Sequence, residues 1–85
     1  MPAKTFILSK KANKEISKLP IRIQEKIDKA FSVIKANPLA GAKLHGDLAG
    51  KYKFRIGDYR IIYAFYLKES LVEIVKVEHR QGVYR

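Results

Sequence analysis

Lys51, Lys53 and Arg55 recur at every second position, and past Gly57-Asp58 another arginine follows at Arg60, in the stretch KYKFRIGDYRIIYAFY from Lys51 to Tyr66. Side chains of these types do anion chemistry: guanidinium forks and ammonium groups hold phosphate oxygens and stabilise charge that develops on them. In a strand, side chains alternate faces, so Lys51, Lys53 and Arg55 share one side while Tyr52, Phe54 and Ile56 share the other. Gly57-Asp58 between two such runs is a two-residue hairpin signal, glycine supplying the positive φ at the first central position of a type II′ turn. Counted outward from that turn, Ile56 faces Tyr59, Arg55 faces Arg60, Phe54 faces Ile61 and Lys53 faces Ile62. Like charges placed directly opposite each other destabilise a sheet. Arg55 against Arg60 therefore implies an anion, such as a phosphate, seated between them. The competing reading is that the cations protect an exposed strand from aggregation.

Apolar periodicity places the elements that carry this hairpin. Thr5 to Leu8 reads as a short strand, and Ser9 offers an N-cap hydroxyl to a helix starting near Lys10. Ala12, Ile16 and Leu19 form its apolar stripe, which ends at Leu19-Pro20 because the residue before proline is driven out of the helical region. Ile23, Ile27, Ala30, Phe31 and Ile34 carry a second helix to Asn37-Pro38, with Glu25 and Lys29 as an i,i+4 pair. Gly41, Gly46 and Gly50 mark a loop from Leu39 to Gly50 that lacks a phosphate-loop pattern. A last strand, Leu71 to His79, follows the polar turn Lys68-Glu69-Ser70. The expected fold is α+β in the order β-α-α-β-β-β, a single domain over residues 1–85, with a helical hairpin packed on a small, mainly antiparallel four-stranded sheet. Tyr52, Phe54, Ile56, Tyr59, Ile61, Tyr63 and Phe65 supply the face that meets the helices. In the last strand Val75 and Val77 alternate with Lys76, Glu78 and Arg80, so parity can bring Arg80 to the open face. The register across the second turn is left open.

Charge narrows the partner. The 85 residues hold 18 Lys and Arg against 8 Asp and Glu, a net +10, and 47% hydrophobic residues argue for a folded domain over a basic tail. A polyanion is the expected partner, nucleic acid first, because phosphates neutralised by Lys and Arg release counterions. An acidic protein fits the same charge. With no cysteine, the chain can form no disulfide and has no thiol nucleophile. Neither a signal peptide nor a membrane-spanning run is expected, and a cytoplasmic location follows.

The segment KYKFRIGDYRIIY and the ending VKVEHRQGVYR, in this order of elements, resemble the RelE-like branch of the RelE/ParE toxin superfamily of type II toxin-antitoxin systems. The similarity spans nearly the whole chain, and GDYRIIY followed by a strand and HR-x-x-VY is its most specific part. The resemblance implies a microbial-RNase-like fold whose sheet holds mRNA in the ribosomal A site and cleaves it. By position it implies catalytic roles for Lys53, Arg55, Arg60, Arg80 and Tyr84, with Lys51, His79 and Arg85 binding substrate and no metal or cofactor. Arg55 stands where the best-known relatives carry lysine. It further implies an acidic, partly disordered antitoxin that binds in a hetero-oligomer and prevents ribosome entry.

Cleavage by a 2′-hydroxyl attacking its neighbouring phosphate needs one proton removed, an anionic phosphorane stabilised and the leaving oxygen protonated. No glutamate or histidine is expected on the basic face, so Lys53, crowded by Arg55, Arg60 and Lys51, is the candidate proton acceptor, with Arg60 and Arg80 on the phosphorane and Tyr84 stacking on a base. His79, on the other parity from Arg80, reads first as a structural hydrogen-bonding residue, while Arg80 and Tyr84 read equally as a surface arginine and a tail aromatic. Three functions remain: a ribosome-dependent mRNA endonuclease, a ParE-like inhibitor of DNA gyrase, and a noncatalytic nucleic-acid-binding module.

Overall fold

A computed structural model describes residues 2–46 and 50–79. Its elements run β1 (Thr5–Leu8), α1 (Lys10–Ser17), α2 (Ile21–Ala36), β2 (Ala42–Lys43), β3 (Lys51–Ile56), β4 (Tyr59–Tyr66) and β5 (Leu71–His79). They form one sheet in the order β1-β5-β4-β3-β2, antiparallel except for the β1/β5 edge pair. The α+β expectation holds, with one addition. Two residues of the segment read as loop, Ala42 and Lys43, pair with Lys53 and Tyr52 as a fifth strand, too short to leave a periodic signal.

Each helix starts as its sequence dictates. Ser9 caps α1, its Oγ accepting from the Ala12 amide at 3.0 Å. Pro20 occupies the N-cap position of α2, and the half-buried Gln24 ties this end back, its Nε2 donating to the Leu19 carbonyl at 2.9 Å. The buried cluster joins Ala12 of α1 and Ile27, Ala30 and Ile34 of α2 to Ile61, Tyr63, Val72, Ile74 and Val77 of the sheet. Tyr52, Phe54, Ile56, Tyr59 and Phe65 pack around it, so the aromatic face of the hairpin meets the helices as its alternation requires. Among the described residues no helix is long and apolar enough to cross a membrane.

Tyr63 anchors the segment that brings β2 to the sheet. Its fully buried hydroxyl donates to the Pro38 carbonyl at 2.7 Å and accepts from the Gly41 amide at 2.9 Å. Burial pushes its pKa up, outweighing the Gly41 bond that pulls it down. Gly41 has to be glycine for steric reasons, since a Cβ there would lie 2.6 Å from the Lys53 carbonyl oxygen and 2.8 Å from the Tyr63 hydroxyl.

Candidate functional site

The hairpin register places the cations as counted from the turn. Arg55 pairs with Arg60, Lys53 with Ile62 and Lys51 with Ala64. Gly57 has φ +55°, and Asp58 is not in the positive-φ region, which is the type II′ pattern. Lys51, Lys53, Arg55 and Arg60 therefore share the sheet face turned away from the helices. Ile62 and Ala64 lie on that same face yet are only 2% and 5% exposed. With Lys53 and Lys76 opposite Ile62, and Lys51 and Glu73 opposite Ala64, the aliphatic stems of those long side chains account for the burial. The face is thus a cationic surface on a greasy floor, and Arg55 is its exposed member.

The third strand of the site is decided by a bulge. β4 and β5 change register between Ile62 and Tyr63: Tyr63 pairs with Ile74 but Ile62 pairs with Lys76, leaving Val75 as the extra residue. Val72 and Ile74 point into the core before the bulge and Val77 after it, so one inserted residue turns Lys76 and Glu78 onto the cationic face. Helix α1 holds this irregularity. β1 ends at Leu8 opposite Ile74, and along the edge of β5 beyond it the Ser9 Oγ donates to the Val75 carbonyl at 2.7 Å while Glu15 Oε1 accepts from the Val77 amide at 2.9 Å.

One expectation is corrected by this register. Glu78 sits on the basic face opposite Arg60, where no carboxylate was expected. Its Oε1 is 3.4 Å from Arg60 Nη2 and its Oε2 is 3.0 Å from Lys76 Nζ. His79 lies on the helix-facing side opposite Tyr59, the parity opposite to Arg80 that alternation gives it, with the two rings edge to face at 4.7 Å. The sequence signal for the face of Glu78 is the doubled apolar pair Ile74-Val75, which interrupts the period of two. Arg60 Nε is buried and has no hydrogen-bond partner among the described residues. Arg80, Tyr84 and Arg85 lie outside the described residues.

The helix-facing side carries a separate groove of about 210 Å³ between α2 and the hairpin turn, lined by Ile23, Lys26, Ile56, Gly57, Asp58 and Tyr59. With one cation balanced by one carboxylate, it lacks the charge of the opposite face.

Comparison with known proteins agrees with this architecture. Residues 6–84 match the family model described as the ParE toxin of the type II toxin-antitoxin system parDE. The chain is 36% identical over 76 residues to toxin RelG of Mycobacterium tuberculosis, covering 87% of each protein, and 33% identical to toxin RelE of the same organism, covering 87% of this chain and 78% of that one. Its fold superposes on the crystal structure of the toxin-antitoxin complex RelBE2 from M. tuberculosis with a TM-score of 0.85 at 33% identity, over 94% of this chain and 93% of the other. An archaeal RelE-RelB complex from Pyrococcus horikoshii shares the fold at a TM-score of 0.76 and 24% identity, over 94% and 97% of the two chains. With a family model spanning nearly its whole length and relatives above 30% identity, the chain belongs to the RelE/ParE superfamily of type II toxin-antitoxin toxins.

Proposed function

We propose that this toxin is a metal-independent, ribosome-dependent endoribonuclease that cuts translated mRNA in the A site, the 2′-hydroxyl attacking the scissile phosphate. The observation that carries the reading is the opposition of Arg55 and Arg60 at one rung of the hairpin, with Lys51, Lys53 and Lys76 on the same face. A phosphodiester over Arg60 removes the like-charge repulsion between it and Arg55. Lys53, Arg55 and Arg60 grip that phosphate, and Arg80 and Tyr84 complete the site from the C-terminal segment, with Lys51 and Arg85 along the RNA backbone. Such a cation-rich surface binds RNA readily but positions it loosely, so the ribosome supplies the orientation that chemistry requires.

The toxin's partner off the ribosome is a cognate antitoxin. Its relatives are seen in toxin-antitoxin complexes, and the net charge of +10 calls for an acidic, partly disordered segment that covers the cationic face. A short acidic reading frame beside the gene, whose product neutralises toxicity on co-expression, is the expected finding.

Induced expression followed by mapping of mRNA ends tests the activity. Cuts within codons of translated messages are expected, and none in untranslated RNA. Because the matching family model is that of ParE, DNA gyrase is the competing target, and arrested supercoiling with intact mRNA would replace the nuclease reading. Binding to RNA without cuts and without an effect on gyrase would leave a noncatalytic module.

A further inference from the structure

Resting on the nuclease reading, we infer that Glu78 is the proton acceptor of the reaction, a catalytic carboxylate held on the cationic face opposite Arg60. Three observations lead there. Glu78 occupies the same cross-strand rung as Arg55 and Arg60, in the order Arg55, Arg60, Glu78 across β3, β4 and β5. The carboxylate is about a quarter exposed and, among the described residues, is paired with the cations Arg60 and Lys76. It reaches that face only because the bulge after Ile74 turns this end of β5 over, and Ser9 and Glu15 both bond the backbone around that bulge.

The register sets the base beside the phosphate. Strands lie about 4.8 Å apart, so β3 and β5 stand roughly 9.5 Å apart on either side of β4, with Arg55 on the rung of Glu78 and Lys53 one same-face position further along β3. A phosphate seated over Arg60 on the central strand thus has Glu78 on one flank and the Lys53/Arg55 strand on the other. Carboxylates are unprotonated at neutral pH, the form a base requires, whereas an ammonium or guanidinium must first lose a proton.

The 2′-O–H bond breaks and its proton passes to a Glu78 carboxylate oxygen. The electron pair left on the 2′-oxygen forms the new bond to phosphorus, and the P–O5′ bond breaks. The 5′-oxygen takes a proton from the Lys53 ammonium, a stronger acid than arginine, and the products are a 2′,3′-cyclic phosphate and a free 5′-hydroxyl. Approach of the phosphate draws the Arg60 guanidinium from the carboxylate to the phosphate oxygens, which frees Glu78 Oε1 to accept. Lys53, the candidate base from sequence, becomes the acid.

The test uses the full-length protein on ribosomes programmed with a short mRNA, under single-turnover conditions, alongside binding of an RNA carrying a 2′-deoxy sugar at the cut site. Glu78→Gln keeps the shape and an oxygen for Arg60 but cannot take the proton. Cleavage is expected to fall at least about 100-fold while the affinity for uncleavable RNA stays the same or rises. Glu73→Gln, on the same face but bonded to the exposed Tyr66 hydroxyl at 3.2 Å, is expected to cleave within about twofold of wild type. Codon cuts made equally fast by Glu78→Gln would overturn the Glu78 role and leave the nuclease reading standing. So would a variant whose cleavage and RNA affinity fall together, which marks a binding role. Absence of any codon cut by the wild-type protein would overturn both.

Discussion

Replacing Arg60 by methionine should make the protein more stable and less toxic at once. The methionine keeps most of the stem that covers the sheet but removes the guanidinium. An unpaired buried donor costs about 1–3 kcal/mol, and because the Arg60 side chain is 25% exposed the lower end applies to its Nε. Relief of the Arg55 repulsion adds roughly 0.5 kcal/mol. Against this stands the loss of the 3.4 Å contact with Glu78, worth about 0.5 kcal/mol for a partly exposed pair, and Glu78 keeps Lys76 at 3.0 Å. The balance is a gain of about 1 kcal/mol, or roughly 4–8 °C in Tm for a domain of this size. Thermal melts and urea titrations at low salt, followed by far-UV circular dichroism, measure it directly. A variant melting below wild type would show that Arg60 is a structural residue and remove the argument that stability has been sacrificed for anion binding at this rung.

Other expectations follow from the same contacts. Arg60→Ala should abolish codon cleavage by the folded protein, and a fully active variant would remove this residue from the site. Each phosphate-binding cation removed, Lys53 or Arg55 for example, should lower the salt slope of single-stranded RNA binding by about 0.7, measured by fluorescence anisotropy across salt concentrations. Tyr63→Phe leaves the Pro38 carbonyl and Gly41 amide without their partner and should lower unfolding stability by about 1–3 kcal/mol in urea titrations. Because burial raises the Tyr63 pKa above the ordinary 10.0, its contribution is complete below pH 10 and is lost as pH rises further, when the unfolded chain ionises first. Base titration of Tyr63→Phe should lack that component. Glu15→Ala strips the Val77 amide of its acceptor and should destabilise the bulge, seen as faster hydrogen exchange at Val77 and slower mRNA cleavage.

The hairpin was legible before any coordinates because its information is local. Alternation assigns faces, Gly57-Asp58 sets the turn, and a two-residue turn leaves one register, so Arg55 had to meet Arg60. The helices were legible for the same reason: Ser9 and Pro20 stand at their starts, and the apolar residues recur at helical spacing. The pairing of Glu78 with Arg60 was not. Alternation set Glu78 with Arg80 and His79 opposite them, but the register across the second turn depends on a bulge whose position is chosen by packing of Val72, Ile74 and Val77 against the helices and by Ser9 and Glu15, residues more than 60 positions away. A strand's parity is carried along the chain only while its period is unbroken; past an inserted residue, contacts from elsewhere in the fold decide which side chains meet the anion.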